Sequence, residues 1–174
     1  MEVRFLDVRT VPPEMLARWE RCLDEEKRQR IDRLPSDKRL LSLCGDGIAR
    51  EMLAQILCCA PEQIPFTYTE TGKPLTDGGF FSVSHSGNRV ACAVADGAVR
   101  RDVEKLRPVP PRLGRSLDCE EAEAVFWQRW TRREAALKCR GETLGAWKRS
   151  REEGLCFLTV DAPEGYVVSV CEKE

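Results

Sequence analysis

The chain is predicted to be α+β, on three features of its pattern. Helical periodicity dominates residues 12–60, strand-like runs dominate residues 80–106, and a second long helix precedes two more strand-like runs. Helices and strands thus come in blocks instead of alternating one by one, which argues against a doubly wound sheet.

Each element has its own signal. Residues 2–9 alternate roughly as a short strand, and Pro12 and Pro13 then open a helix. The segment MLARWERCLDEEKRQRIDRL carries apolar positions at Leu16, Trp19, Leu23 and Ile31, so one helix is expected through it. A second helix is expected through LLSLCGDGIAREMLAQILCCA, stopping at Pro61. Gly45 and Gly47 cost that helix intrinsic stability and imply close packing there. TETGKPLTDGG reads as turn chemistry throughout. FFSVSHS and NRVACAVADG read as two strands joined at Gly87-Asn88, a hairpin, with AVRRDVEKL a third strand. RPVPPRLG cannot be regular helix. A long amphipathic helix is expected from Asp118, an N-cap with Glu121 three residues on, to Gly141. LCFLTV and YVVSVCE, joined by DAPEG, close the pattern as strands.

With 42% apolar and 33% charged residues, a 174-residue chain can bury a proper core. A net charge of −1 excludes strong sequence-independent attraction to nucleic acid. No run is long enough to span a bilayer, and MEVRFLDVRTVPPEML lacks the pattern of a signal peptide, so a cytoplasmic protein is expected. Nine scattered cysteines without a C-x-x-C pair imply reduced thiols, several of them in the core, in place of disulfides or a zinc site.

Several side chains could carry chemistry. Asp102 and Glu104, two apart on a strand, leave one face of it, and an oxygen-only pair favours a hard divalent ion such as magnesium. A solvated acidic sheet edge fits the same spacing. Glu134 and Lys138 share a helix face at i, i+4, as an ordinary surface ion pair also would. In SVSHSG the sole histidine, His85, stands between hydroxyls before Gly87; such a turn can hold a phosphate or simply punctuate a hairpin. Gly72-Lys73-Pro74 lacks the spacing of a P-loop, and no G-x-S-x-G is present. Basic residues cluster at Lys27, Arg28 and Arg30, from Arg100 to Arg115, and from Arg129 to Arg151, where they can face solvent, an anionic ligand or an acidic protein. Aromatic residues are not interleaved with them as base stacking requires, so a nucleic-acid partner is not expected.

Taken in order, EKRQR, GKP, FSVSHSG with VACAV, DVEK, WTRREAALK with GETL, and GYVVSVC resemble the 4′-phosphopantetheinyl transferases, in particular their larger, surfactin-type group. The resemblance runs from about Glu26 to Cys171. It implies two similar α+β halves, residues 1–97 and 98–174, packed as a pseudo-twofold dimer within one chain with the active site in the cleft between them. It implies transfer of phosphopantetheine from coenzyme A to a serine of an apo acyl- or peptidyl-carrier protein, releasing 3′,5′-ADP, by a monomer. A non-catalytic relative that only binds coenzyme A or a carrier protein is the alternative.

The resemblance also distributes roles. Asp102, Glu104 and Glu134 would hold magnesium; Lys27, Arg30, Lys73, Ser84, His85 and Lys138 would contact coenzyme A, with His85 at its 3′-phosphate. Glu134 would take the serine proton, and Lys138 would neutralise the leaving oxygen. Surface charge alone, and no motif of the family, suggests that Arg132, Arg133 and Lys148 would steer an acidic carrier protein. Arg100 and Arg101 stand where the family has Gly-Ile, and Arg100 would either pair with Asp102 or grip the pyrophosphate. Leu41 stands where the family has a basic residue.

Overall fold

The computed structural model describes residues 1–69, 73–77, 79–95, 99–110, 123–142, 144–147, 149, 152–158 and 160–173, the side chains of 99–101, 144 and 173 excepted. The expected cap at Asp118 with Glu121, together with Gly72, Arg115, Lys148 and Arg151, lies outside the described residues, as do the side chains of Arg100 and Arg101. Helices and strands both occur, as an α+β chain requires, in two units, Met1–Val99 and Arg100–Glu174. No helix among the described residues is long and apolar enough to cross a membrane.

The first unit opens with strand β1 (Glu2–Asp7), followed by α1 (Pro13–Cys22), α2 (Glu25–Asp32) and α3 (Ser36–Leu57). The single helix expected after Pro13 is therefore two. The break has a local cause: Asp24 adopts an extended backbone and its side chain accepts from the Lys27 N–H at 2.7 Å. An Asp in that role satisfies a donor that a continuous helix would have satisfied internally, so a new helix starts there. Helix α3 begins earlier than expected, directly after Pro35, and ends before Pro61 with Cys58 in the left-handed conformation.

Turn chemistry between α3 and the hairpin includes two short paired strands, β2 (Thr67–Tyr68) and β3 (Pro74–Leu75). Strands β4 (Phe80–Ser86) and β5 (Arg89–Ala95) then form the expected hairpin, Gly87 supplying the positive φ that its two-residue turn needs. β1 pairs with the far edge of β5, giving an antiparallel sheet of order β1-β5-β4.

Alternation fixes which face of that sheet is covered. Val90, Cys92 and Val94 join a core with Cys44, Ile48, Met52 and Leu53 of α3, while Val83 of β4 packs against the edge of that core. Gly45 makes the approach possible, since a β-carbon there would stand 2.9 Å from Val83 Cγ1. Gly47 does the same for α1, because a β-carbon would fall within the Trp19 indole.

In the second unit, β6 (Val99–Lys105), α4 (Glu123–Arg140), β7 (Leu155–Leu158) and β8 (Tyr166–Lys173) form a sheet of order β6-β8-β7, with α4 packed on β8. Phe126, Trp127, Ala135, Ala136 and Leu137 of α4 are buried, as are Val103 of β6 and Val170 and Cys171 of β8. Thr131 and Ser169 hydroxyls, 2.9 Å apart, satisfy one another inside that packing. Every described cysteine is free: Cys22, Cys44, Cys92 and Cys171 are buried core thiols, Cys59 and Cys139 are half-buried, and Cys58 and Cys156 are exposed.

Candidate functional site

Two clusters of charged side chains stand out, one in each unit. In the first unit a pocket of about 170 Å³ opens among α2, α3, β3 and β4. Lys27, Ser42, Asp46 and His85 give it polar character, and Leu41, Phe66, Pro74, Phe81 and Val83 give it apolar walls. Phe66 and Phe81 stack with centroids 4.9 Å apart. His85 shares its strand face with Val83 and Phe81 and is itself exposed.

Burial and charge set the pocket's electrostatics. Lys27 is half-buried, and desolvation lowers its pKa, with Asp46 and Asp24 pulling it back up. Asp46 is nearly fully enclosed, and burial raises its pKa even though Arg50 Nε donates to its Oδ1 at 2.7 Å. Its other oxygen, Oδ2, is buried without a hydrogen-bond partner among the described residues. Arg50, also buried, donates to the Ile64 carbonyl and stacks over Phe66 at 4.3 Å.

The remaining expected coenzyme A contacts in this unit, Arg30, Lys73 and Ser84, do not line the pocket. Arg30 pairs with Glu26 at 2.7 Å and lies over the Tyr68 ring at 5.1 Å. Lys73 is half-buried at the mouth of the β2–β3 hairpin, its backbone bonded to Thr69, one residue from Pro74 of the wall. Ser84 is buried on the strand face opposite His85, with an Oγ that finds no partner among the described residues. Leu41 lines the pocket where a basic side chain was expected from the resemblance.

Asp24 was not singled out in the sequence, yet it organises this region. It caps α2, accepts from the Tyr68 hydroxyl at 2.9 Å and lies 3.7 Å from Arg50. The legible signal was an Asp three residues ahead of Lys27 in an acidic run, the mark of a helix start.

The second cluster lies between β6 and α4. Asp102 is buried, and Lys138 Nζ, from the helix, donates to its Oδ1 at 2.6 Å and lies 3.0 Å from Glu134 Oε2. The other Asp102 oxygen, Oδ2, is buried without a partner among the described residues. Glu104, two residues along β6, is half-buried and held by Arg107 at 3.0 Å. Burial pushes the Asp102 carboxyl up to about 7; Lys138 opposes the shift, while Glu134 and Glu104 add to it. Burial works against the Lys138 ammonium as well, but Asp102 and Glu134 outweigh it and raise its pKa.

Among the described residues no three Asp, Glu, His or Cys side chains are gathered tightly enough to hold a metal as they stand. The donor chemistry nevertheless suits a hard cation. Asp102 brings a buried oxygen with no donor among the described residues, and Asp102 and Glu134 already enclose the positive charge of Lys138.

Of the expected docking cations, Arg132 is held by Glu152 at 2.8 Å and covers Phe157, and Arg133 lies over Trp147 at 5.8 Å. Trp130 packs on Trp147 with centroids 4.8 Å apart.

Fold and clusters together define an α+β protein with a pocket lined by Lys27, Asp46 and His85 in one unit and a carboxylate–lysine cluster in the other. No protein-family model matches the chain. It is similar to the 4′-phosphopantetheinyl transferase HetI of Nostoc sp. (strain PCC 7120 / SAG 25.82 / UTEX 2576), 34% identical over 140 residues, 68% of this chain and 59% of that protein. It is also similar to the 4′-phosphopantetheinyl transferase AcpT of Salmonella typhi, 33% identical over 143 residues, 71% of this chain and 68% of that one. With the 4′-phosphopantetheinyl transferase Sfp of Bacillus subtilis (strain 168) it shares 26% identity over 183 residues, 86% of this chain and 81% of that one. The chain belongs to the 4′-phosphopantetheinyl transferases.

Proposed function

We propose that the chain transfers the 4′-phosphopantetheine group of coenzyme A to a serine of an apo acyl- or peptidyl-carrier protein, releasing 3′,5′-ADP. The observation that carries this reading is the Asp102, Glu134 and Lys138 cluster, in a chain of this family, with its unpartnered buried oxygen. The surfactin-type group is the better fit within the family, since each unit pairs one long helix with a three-stranded sheet. On this reading residues 1–97 grip coenzyme A, and residues 98–174 supply the metal ligands and meet the carrier protein.

The roles follow from charge and reach. Lys27 and His85, sharing one pocket, bind the 3′-phosphate, with Arg30, Lys73 and Ser84 supporting the nucleotide end. Asp102, Glu104 and Glu134 hold magnesium, which when bound neutralises diphosphate charge and fixes in-line geometry. Glu134 accepts the proton of the carrier serine, and Lys138 offers a cation to the oxygen that leaves with 3′,5′-ADP. The carrier protein is an acidic partner steered by the basic side chains of α4, and the enzyme acts as a cytoplasmic monomer.

Mass spectrometry of an apo carrier protein, incubated with the chain, coenzyme A and magnesium, tests the proposal. Gain of one phosphopantetheine is the expected result. No gain with coenzyme A binding retained would mark the chain as a binding relative without transfer.

A further inference from the structure

Lys138 does something in this structure that a phosphate ligand alone would not require. Its ammonium lies 2.6 Å from Asp102 Oδ1 and 3.0 Å from Glu134 Oε2, so it stands between two of the carboxylates assigned to the metal. The three partners differ in freedom. Asp102 is buried on a strand and Glu134 is largely enclosed, whereas the lysine side chain is 40% exposed and sits on a flexible four-carbon stem. Of the three, the lysine is the most exposed and has the longest stem, so it is the one best able to move aside.

A divalent ion and an ammonium cannot share that place cheaply, because like charges a few ångströms apart at partly buried sites repel strongly. Glu104 adds one further negative group that offsets part of this repulsion, but Arg107 already engages it. A diphosphate nearby relieves the rest, by giving Lys138 a new partner.

We infer that Lys138 is a built-in competitor for the divalent ion, occupying the Asp102–Glu134 acid pair until a diphosphate draws it away. The inference rests on the transferase reading only for the identity of that diphosphate, coenzyme A. Metal and coenzyme A then strengthen one another's binding, and by linkage the coupling passes through this one side chain. Lys138 is a positioning residue in this role, in addition to its part at the leaving oxygen.

The test is a manganese titration of the full chain at pH 8, followed by electron paramagnetic resonance, with and without coenzyme A. Lys138→Met should bind manganese roughly tenfold or more tightly than the parent chain when coenzyme A is absent. Coenzyme A should tighten manganese binding by a larger factor in the parent than in the variant, where only the diphosphate's own attraction for the ion remains. Adding Asp102→Asn to the variant should abolish its gain. Equal or weaker manganese binding by Lys138→Met, or a gain that survives Asp102→Asn, overturns the inference.

A second measurement needs no variant. Acetic anhydride labelling of Lys138, read by peptide mass spectrometry, should rise when manganese is added to the parent chain; unchanged labelling counts against the exchange. Neither readout involves transfer. A chain that fails to modify any carrier protein yet shows both effects would sink the transferase reading and leave this inference standing.

Discussion

Gly47 of α3 lies so close beneath the Trp19 indole of α1 that a β-carbon at position 47 would stand 2.1 Å from Trp19 Cδ2. The ring cannot easily step aside: it is almost wholly buried, and its Nε1 donates to Glu51 at 3.2 Å. Gly47→Ala should therefore destabilise the first unit by about 1–3 kcal/mol, toward the upper end, because overpacking forces a backbone shift. Urea unfolding measures this; an unchanged midpoint would mean the helices separate at no cost.

Arg50 and Asp46 form a buried ion pair beneath the pocket, with side chains 2% and 1% exposed. Arg50→Met should cost about 3–5 kcal/mol, since it strands a buried carboxylate. Replacing Asp46 by Leu in the same chain should recover much of that loss. If the double variant is no more stable than the single one, Arg50 matters through Ile64 and Phe66 instead.

Acid should loosen the first unit through Asp7. The Arg9 side chain holds that carboxyl well below its ordinary range, with the Arg9 N–H and Asn88 assisting and burial opposing. Because the folded value is depressed, the stabilisation is fully present above about pH 4, the ordinary carboxylate value, and is lost as pH falls toward the folded one. Asp7→Asn should flatten the stability curve over that acid range. A parallel curve for variant and parent would remove Asp7 from the explanation.

At the carboxylate cluster, Glu104→Gln should lower transfer roughly a hundredfold or more, because a metal ligand contributes several kcal/mol to the transition state. Glu104 is half-buried and paired with the more exposed Arg107, so stability should change by less than about 1 kcal/mol. Full transfer activity in this variant would end the ligand assignment.

His85→Ala should act on binding, not on chemistry. Losing a charge-assisted contact distant from the reacting phosphorus should raise KM for coenzyme A roughly tenfold, with little change in kcat. A fall in kcat at unchanged KM would place His85 at the reacting atoms.

Much of this fold was legible because period and punctuation agreed. Gly87-Asn88 marked the β4–β5 hairpin, and the apolar run VACAV fits the buried strand it forms. The α1–α2 break was not read, because apolar spacing continues through Leu23 and only the Asp24 side chain interrupts it. β2 and β3 were missed because two-residue strands carry no period. At the site, the sequence singled out Asp102, Glu134 and Lys138, and their side chains do meet. What spacing could not supply was burial: that Asp102 is enclosed while Glu104 is half-open, or that Asp46 lies in the wall beside Lys27. Those depend on contacts between segments far apart in sequence.

The lock on the hairpin turn reaches back to the opening strand. Asn88 donates to both oxygens of Asp7 across a separation of 81 residues, and β1 pairs along its whole length with β5. On the ribosome, β1 would emerge first but must wait for nearly the whole first unit before its partner exists. Assembly of this sheet is thus a late event in synthesis, and until then the nascent chain carries an unpaired strand edge open to wrong neighbours.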